Sequence, residues 1–217
     1  MNEQVATQAA ENMSLWDFTV AGGIIMIPLA VLALLCIYVF IERWLVISRE
    51  SKHDATFMSR IKDYVHEGEI ESALNLCRNN RTAYASLIAK GLTRIGRPMQ
   101  DVLVTIENEG NLQIAGLGKG LPWLATTAAG APMLGFLGTV VGMVEAFHSM
   151  AVSGSAATLA TFADGIYTAL VTTVAGLAVG VCAMFAYNCL VARINNVMTL
   201  LEGKTMEFMD LLNEPGK

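Results

Sequence analysis

The chain has 217 residues, 54% of them hydrophobic and 15% charged, with 19 glycines and a formal net charge of −5. An acidic balance with no basic stripe argues against a nucleic-acid partner, because binding a polyanion depends on clustered Lys and Arg that displace its counterions. Four scattered cysteines, Cys36, Cys77, Cys182 and Cys189, and three scattered histidines, His53, His66 and His148, offer no metal-ligand spacing, and neither a disulfide, a metal nor a cofactor is expected.

The hydrophobic residues come in blocks. Residues 1–19 hold Glu3, Glu11 and Asp17 but no basic residue after Met1, so the apolar run behind them reads as a retained membrane span and not as a cleaved signal peptide. That run is uncharged for the 24 residues from Phe18 to Ile41, and roughly 20 suffice to cross a bilayer. The first span is placed at 20–41.

From 42 to 122 the chain carries charges on a helical apolar period, broken at Gly68, at Asn79-Asn80 and at Gly96-Arg97-Pro98. Four helical pieces are expected. Nothing between Ile41 and Ile61 stops a helix, so the first piece should prolong the first span. In Gly68 to Cys77, one face carries Ile70, Ala73, Leu74 and Cys77 opposite acids, the pattern of an ordinary packing helix. The stretch GLGKGLPW, Gly116 to Trp123, lacks the Gly-Lys-Ser/Thr ending of a phosphate loop and reads as a hinge or close-packing site.

Between Lys119 and Arg193 there is no Lys or Arg, and the only acids are Glu145 and Asp164. Two further spans fit there, at 123–149 and 161–191, joined by a Ser- and Gly-containing turn at 150–160 and followed by a helix over 192–217. Of the 14 basic residues, 11 lie between Arg43 and Lys119 and three after Ala192. Because basic residues collect on the cytoplasmic side, the amino terminus should be periplasmic, with the 42–122 region and the carboxyl terminus cytoplasmic. The fold class is therefore an all-α integral membrane protein, its three transmembrane helices extended into a cytoplasmic helical bundle.

The second span carries Gly130, Gly135, Gly138 and Gly142, and the third answers with Gly165, Ala169, Thr172, Gly176 and Gly180. Small residues at helical spacing let backbones approach closely in lipid, so Gly135, Gly138, Gly142, Gly176 and Gly180 are assigned to helix packing, within the hairpin and between copies of the chain. Thr126, Thr127, Thr139, Thr168, Thr172 and Thr173 add hydroxyls where water is scarce and suggest a polar seam.

With both spans read, APMLGFLGTVVGM from Ala131 to Met143 and GIYTALVTTVAGLAVGVCAMFAYNCLVARI from Gly165 to Ile194 resemble the ExbB, TolQ and MotA ion-channel family, ExbB most closely. The three-span layout is similar to ExbB and TolQ, whereas MotA-type subunits have four spans. The resemblance implies a pentameric ring in the inner membrane enclosing single-span ExbD-like subunits, with work passed to outer-membrane transport through a TonB-like protein. It also implies that the protonated Asp belongs to the partner and that this chain lines the pathway with Thr139, Thr168, Thr172 and Thr173. Thr139 and Thr173 match the family's pore threonines. Counted at about 1.5 Å per residue, they lie about 9 Å from Glu145 and about 13.5 Å from Asp164, at similar depth. Thr168 stands where enteric ExbB and TolQ carry a Glu, a departure that bears on which ion is used.

Glu145, His148 and Asp164 fall near the outer mouth, where an acid costs far less than the ~2.5–3.5 kcal/mol of the bilayer centre. Interfacial placement accounts for them; gathering cations is the functional alternative. No nucleophile and base occur at motif spacing, so an enzyme is not expected. A TolQ-like envelope subunit and a non-conducting membrane scaffold are the rival functions.

Overall fold

The computed structural model describes residues 22–50, 56–80, 82–153 and 159–213. Among them every regular element is helical: a single 3-10 turn at Gly23–Ile25, then α1 (Met26–Glu50), α2 (Phe57–His66), α3 (Ile70–Asn79), α4 (Ala83–Leu92), α5 (Met99–Leu117), α6 (Leu121–Ser153) and α7 (Leu159–Asn213). Three of these helices are long and apolar enough to cross a membrane, within Gly23–Glu50, Leu121–Val152 and Phe162–Asn213. The prolines of the spans sit where a helix tolerates them or has adapted: Pro28 and Pro122 fall in first turns, where the missing N–H has no helical acceptor.

The chain divides into two compact units. One comprises residues 22–40 and 122–187, the other 41–121 and 188–213. The first unit is built on the α6–α7 hairpin. Its buried positions Leu124, Ala131, Ala146, Ala169, Val171 and Ala183 are mostly small, so the helices meet through backbone and methyl groups. Large side chains point outward, with Phe136, Val144, Val174 and Phe185 all more than half exposed, as an apolar solvent allows.

The second unit has a conventional core of large side chains. Phe57, Met58 and Ile61 of α2 are buried, and Phe57 meets Tyr84 of α4 edge-on with ring centroids 5.0 Å apart. Ala73 and Cys77 of α3 are buried while Ile70 and Leu74 are half-buried, which makes that face a packing face. Phe208 of α7, fully buried, occupies the space left by Gly91, where an added Cβ would stand 2.5 Å from its ring. Burial pushes the Cys77 thiol up to about 12.

Several boundaries differ from the sequence expectation. The first helix is described to Glu50 and a separate α2 begins at Phe57, whose ring meets Tyr84, so the expected prolongation does not run unbroken to Ile61; residues 51–55 lie outside the described residues. Residues 151–153 and 159–160, expected in the outer turn, are helical, and what remains of that turn lies outside the described residues. The expected third span and the helix expected after residue 191 are one continuous α7, since nothing there breaks a helix. The breaks at Gly68 and Gly96 hold because both adopt positive φ, +77° and +91°, which a side chain resists. GLGKGLPW spans the end of α5, a short turn in which Gly120 takes a positive φ of 89°, and the start of α6; a Cβ at Gly116 would meet nothing within 4 Å.

Helix α4 is capped by a residue far away in sequence. Thr82 precedes it, yet its hydroxyl donates to Asn80 Oδ1 at 3.3 Å and makes no cap bond. Instead the Ala83 N–H donates to Glu50 Oε2 at 2.6 Å, placing a carboxylate at the positive end of the helix. Two arginines close the same unit. Arg43 donates to Glu42 Oε1 at 2.7 Å and to the Gly116 carbonyl at 3.4 Å, and Arg193 lies 3.5 Å over the Trp44 ring while donating to Ser48 Oγ at 3.0 Å.

Candidate functional site

The α6–α7 seam is defined by its glycines. An added Cβ at Gly135 would stand 2.9 Å from the Thr172 carbonyl oxygen and 3.1 Å from Gly176 Cα. At Gly176 it would meet the Ala131 carbonyl at 2.6 Å, and at Gly142 the Ala169 methyl at 2.9 Å. Gly138 faces the Thr172 side chain, and Gly165 faces Ala146 at 2.6 Å. These contacts share one antiparallel register and are made by backbone and small side chains, so no larger side chain can be inserted without parting the helices. The stripe that the sequence divides between the hairpin and neighbouring copies is thus used along its length within one chain.

Gly180 has a different neighbour. Its Cβ would meet Pro132 Cγ at 2.5 Å, so the proline ring fills the hollow of the glycine. Pro132 also withholds an N–H from Ala128, one turn back, and the resulting break in the ladder is packed against the smallest possible partner.

The hydroxyls fall in four groups. Thr173 Oγ1 donates across the seam to the Gly135 carbonyl at 3.0 Å. Thr139 donates to its own helix, to Phe136 O at 2.6 Å. The seam register brings Thr139 and Thr173 to within about one turn, roughly 5.4 Å, of the same level. Each is about one residue's rotation from the glycine stripe, and in antiparallel helices that rotation carries both to the same flank of the hairpin.

Thr172 is only 1% exposed; it donates to Ala169 O at 2.7 Å and lies 3.4 Å from Gly135 O, so it is a packing residue between the helices and presents no open face. Thr168 is half-buried. Five residues from Thr173, it sits about 140° around α7, on the opposite flank of the seam. Thr126 and Thr127 bond back to Pro122 O and Trp123 O, both at 2.8 Å, which satisfies them locally.

Glu145, His148 and Asp164 are all exposed in the chain. No group of three His, Cys, Asp or Glu side chains among the described residues is placed to hold a metal ion. The seam presents hydroxyls and carbonyls. Such a surface can solvate an ion or receive a polar group from another chain. Sequence reading finds the glycines and threonines but not their division of labour, because Thr172 and Thr173 differ only in which side of one stripe they occupy.

Residues 79–203 match the MotA/TolQ/ExbB proton channel family, a stretch that contains the whole seam. Among curated relatives, the chain is 26% identical over 183 residues to the biopolymer transport protein ExbB homolog of Methanothermobacter thermautotrophicus, spanning 84% of this chain but under two thirds, 64%, of that protein. It is 35% identical over 141 residues to the biopolymer transport protein ExbB of Neisseria gonorrhoeae, covering 64% of this chain and 61% of that protein. It is also 43% identical over 88 residues to the Tol-Pal system protein TolQ of Haemophilus influenzae, covering 40% of this chain and 38% of that protein.

Proposed function

Because the chain belongs to the MotA/TolQ/ExbB proton channel family, we propose that it is an ExbB-like inner-membrane subunit of a motor driven by an ion-motive force. In this reading several copies, five by family resemblance, form a ring around ExbD-like single spans, and a TonB-like protein carries the work to outer-membrane transport. The amino terminus is periplasmic and the second unit cytoplasmic, by the basic-residue asymmetry.

The observation that carries the proposal is the glycine-locked seam with Thr139 and Thr173 on one flank, within about one turn of the same level. A rigid wall with hydroxyls at similar depth suits a partner's acid that must shed and regain a proton in a dry setting, because hydroxyls accept and donate without holding charge. Thr172 supports that wall from behind. Thr168, on the other flank, would face a different neighbour.

The functional alternative for Glu145, His148 and Asp164, in this reading, is a cation-gathering rim at the external mouth. Replacing Glu145 and Asp164 by Asn or Gln together should lower energy-dependent uptake; unchanged uptake would remove the rim from the account.

The assembly itself is tested by the native mass of the complex purified with its partner. A mass fitting a ring of this chain plus single-span subunits is the expected result, and a monomer or a dimer without partner would contradict it. The TolQ likeness supports a second reading, service of a Tol-type envelope system. Co-purification of a TolA-like protein in place of a TonB-like one distinguishes the two.

A further inference from the structure

The second unit contains an open groove of about 280 Å³ between α4, α5 and α7. Its floor is apolar, with Leu87, Leu103, Ile106, Ile114 and Leu201, and Gly110 leaves it unobstructed: a Cβ there would meet only Leu87 Cδ2, at 3.7 Å. Met198 and Met206 stand at its edge 39% and 67% exposed, flexible thioethers left uncovered by the chain. The remaining charge in the lining is negative only, from Glu107 and Glu202.

Those two carboxylates differ from their neighbours on the same helices. Glu109 pairs with Lys90 at 3.9 Å and Glu207 with Lys204 at 2.6 Å, whereas Glu107 and Glu202 have no cationic partner among the described residues. Glu107 and Glu202 border the groove, and no cation of the chain lines it to answer them.

We propose that this groove receives a cationic amphipathic helix from a partner protein, its apolar stripe on the Leu103, Ile106 and Leu201 floor and its Lys or Arg side chains against Glu107 and Glu202. An apolar floor with an acidic rim complements such a helix in both shape and charge. Segments flanking a membrane span on the cytoplasmic side carry this chemistry, since basic residues accumulate there. The proposal draws on the motor reading only for the source of that segment, and its test needs no ion flow, so the two can fail separately.

The test uses the full chain in phosphatidylcholine nanodiscs and a short fluorescent peptide of Leu and Lys patterned at helical spacing, with binding read by anisotropy. Binding should be saturable, weaken with salt, and fall about tenfold in the Glu107→Gln/Glu202→Gln double variant, whose side chains are exposed and unpaired. Gly110→Leu, which fills the floor, should abolish it while leaving the far-ultraviolet helix signal intact. Equal binding by both variants, or by a peptide of the same composition without the helical period, would overturn the proposal. So would disulfide formation between two copies of a Met206→Cys chain accompanied by loss of peptide binding, which would make the occupant a second copy.

Discussion

At the scale of single residues, the seam sorts the glycines by what surrounds them. Gly176 has the Ala131 carbonyl and Gly135 Cα within 2.8 Å of a hypothetical Cβ, while Gly130, on the same helix pair, has nothing within 4 Å. Gly176→Ala should therefore destabilise the hairpin by about 1–3 kcal/mol, the usual cost of overpacking against backbone. Gly130→Ala should be neutral or slightly stabilising, because Ala is the better helix former. Thermal unfolding of the purified chain in detergent separates the two; an equal effect would mean that the helices are not in this register.

Cys77 makes a second residue-level prediction. Folded, it holds its proton to about 12, against 9.0 for an ordinary thiol. The folded state therefore binds more protons than the unfolded one above pH 9, and stability from this group is present below that pH and lost as the pH rises toward 12. At pH 8 alkylation of Cys77 should be negligible until the protein is denatured, as mapped by mass spectrometry; ready labelling in the native state would contradict its burial at 4% exposure.

At the scale of elements, the cap on α4 comes from Glu50 and not from Thr82. Glu50→Ala should cost about 1 kcal/mol, in the range of a lost N-cap, and Thr82→Ala much less. If the two variants lower the unfolding midpoint equally, the distant cap is not formed in solution. This contrast also shows which elements are legible in sequence. The breaks around Gly68 and Gly96 are readable because a positive φ demands glycine, a local requirement written at one position. The Glu50 cap joins residues 33 apart, and no local pattern announces it. For the same reason the start of a separate helix at Phe57 is not legible: Phe57 is buried against Tyr84, a contact the sequence cannot display. The glycine stripe is legible as a packing face, yet its partner is not, since small-residue spacing looks the same whether the facing helix is in the same chain or another.

At the scale of the whole molecule, the two units use opposite packing logic. The spanning unit is held by backbone approach, with its large side chains outward, while the other buries Phe57, Ile61, Ile88, Ile106 and Phe208 around a conventional core. That contrast follows from the solvent each meets: apolar side chains gain nothing by leaving lipid, so only close contact and hydrogen bonds hold span to span. In the proposed motor, the locked hairpin carrying hydroxyls stands still while a partner's charged group moves past it. Thr173 binds Gly135 across the seam, so its replacement must be judged beside Thr173→Ser, which keeps the hydroxyl.

The most direct measurement is proton flux into liposomes containing the complex with its single-span partner, driven by an imposed pH gradient and membrane potential. Wild type and Thr173→Ser should conduct, and the Thr139→Val/Thr173→Val variant should lose most of the flux while retaining the native mass of the complex. Undiminished flux in that variant, or absence of flux in the intact wild-type complex, would contradict the assignment of these threonines to the ion pathway of a motor subunit.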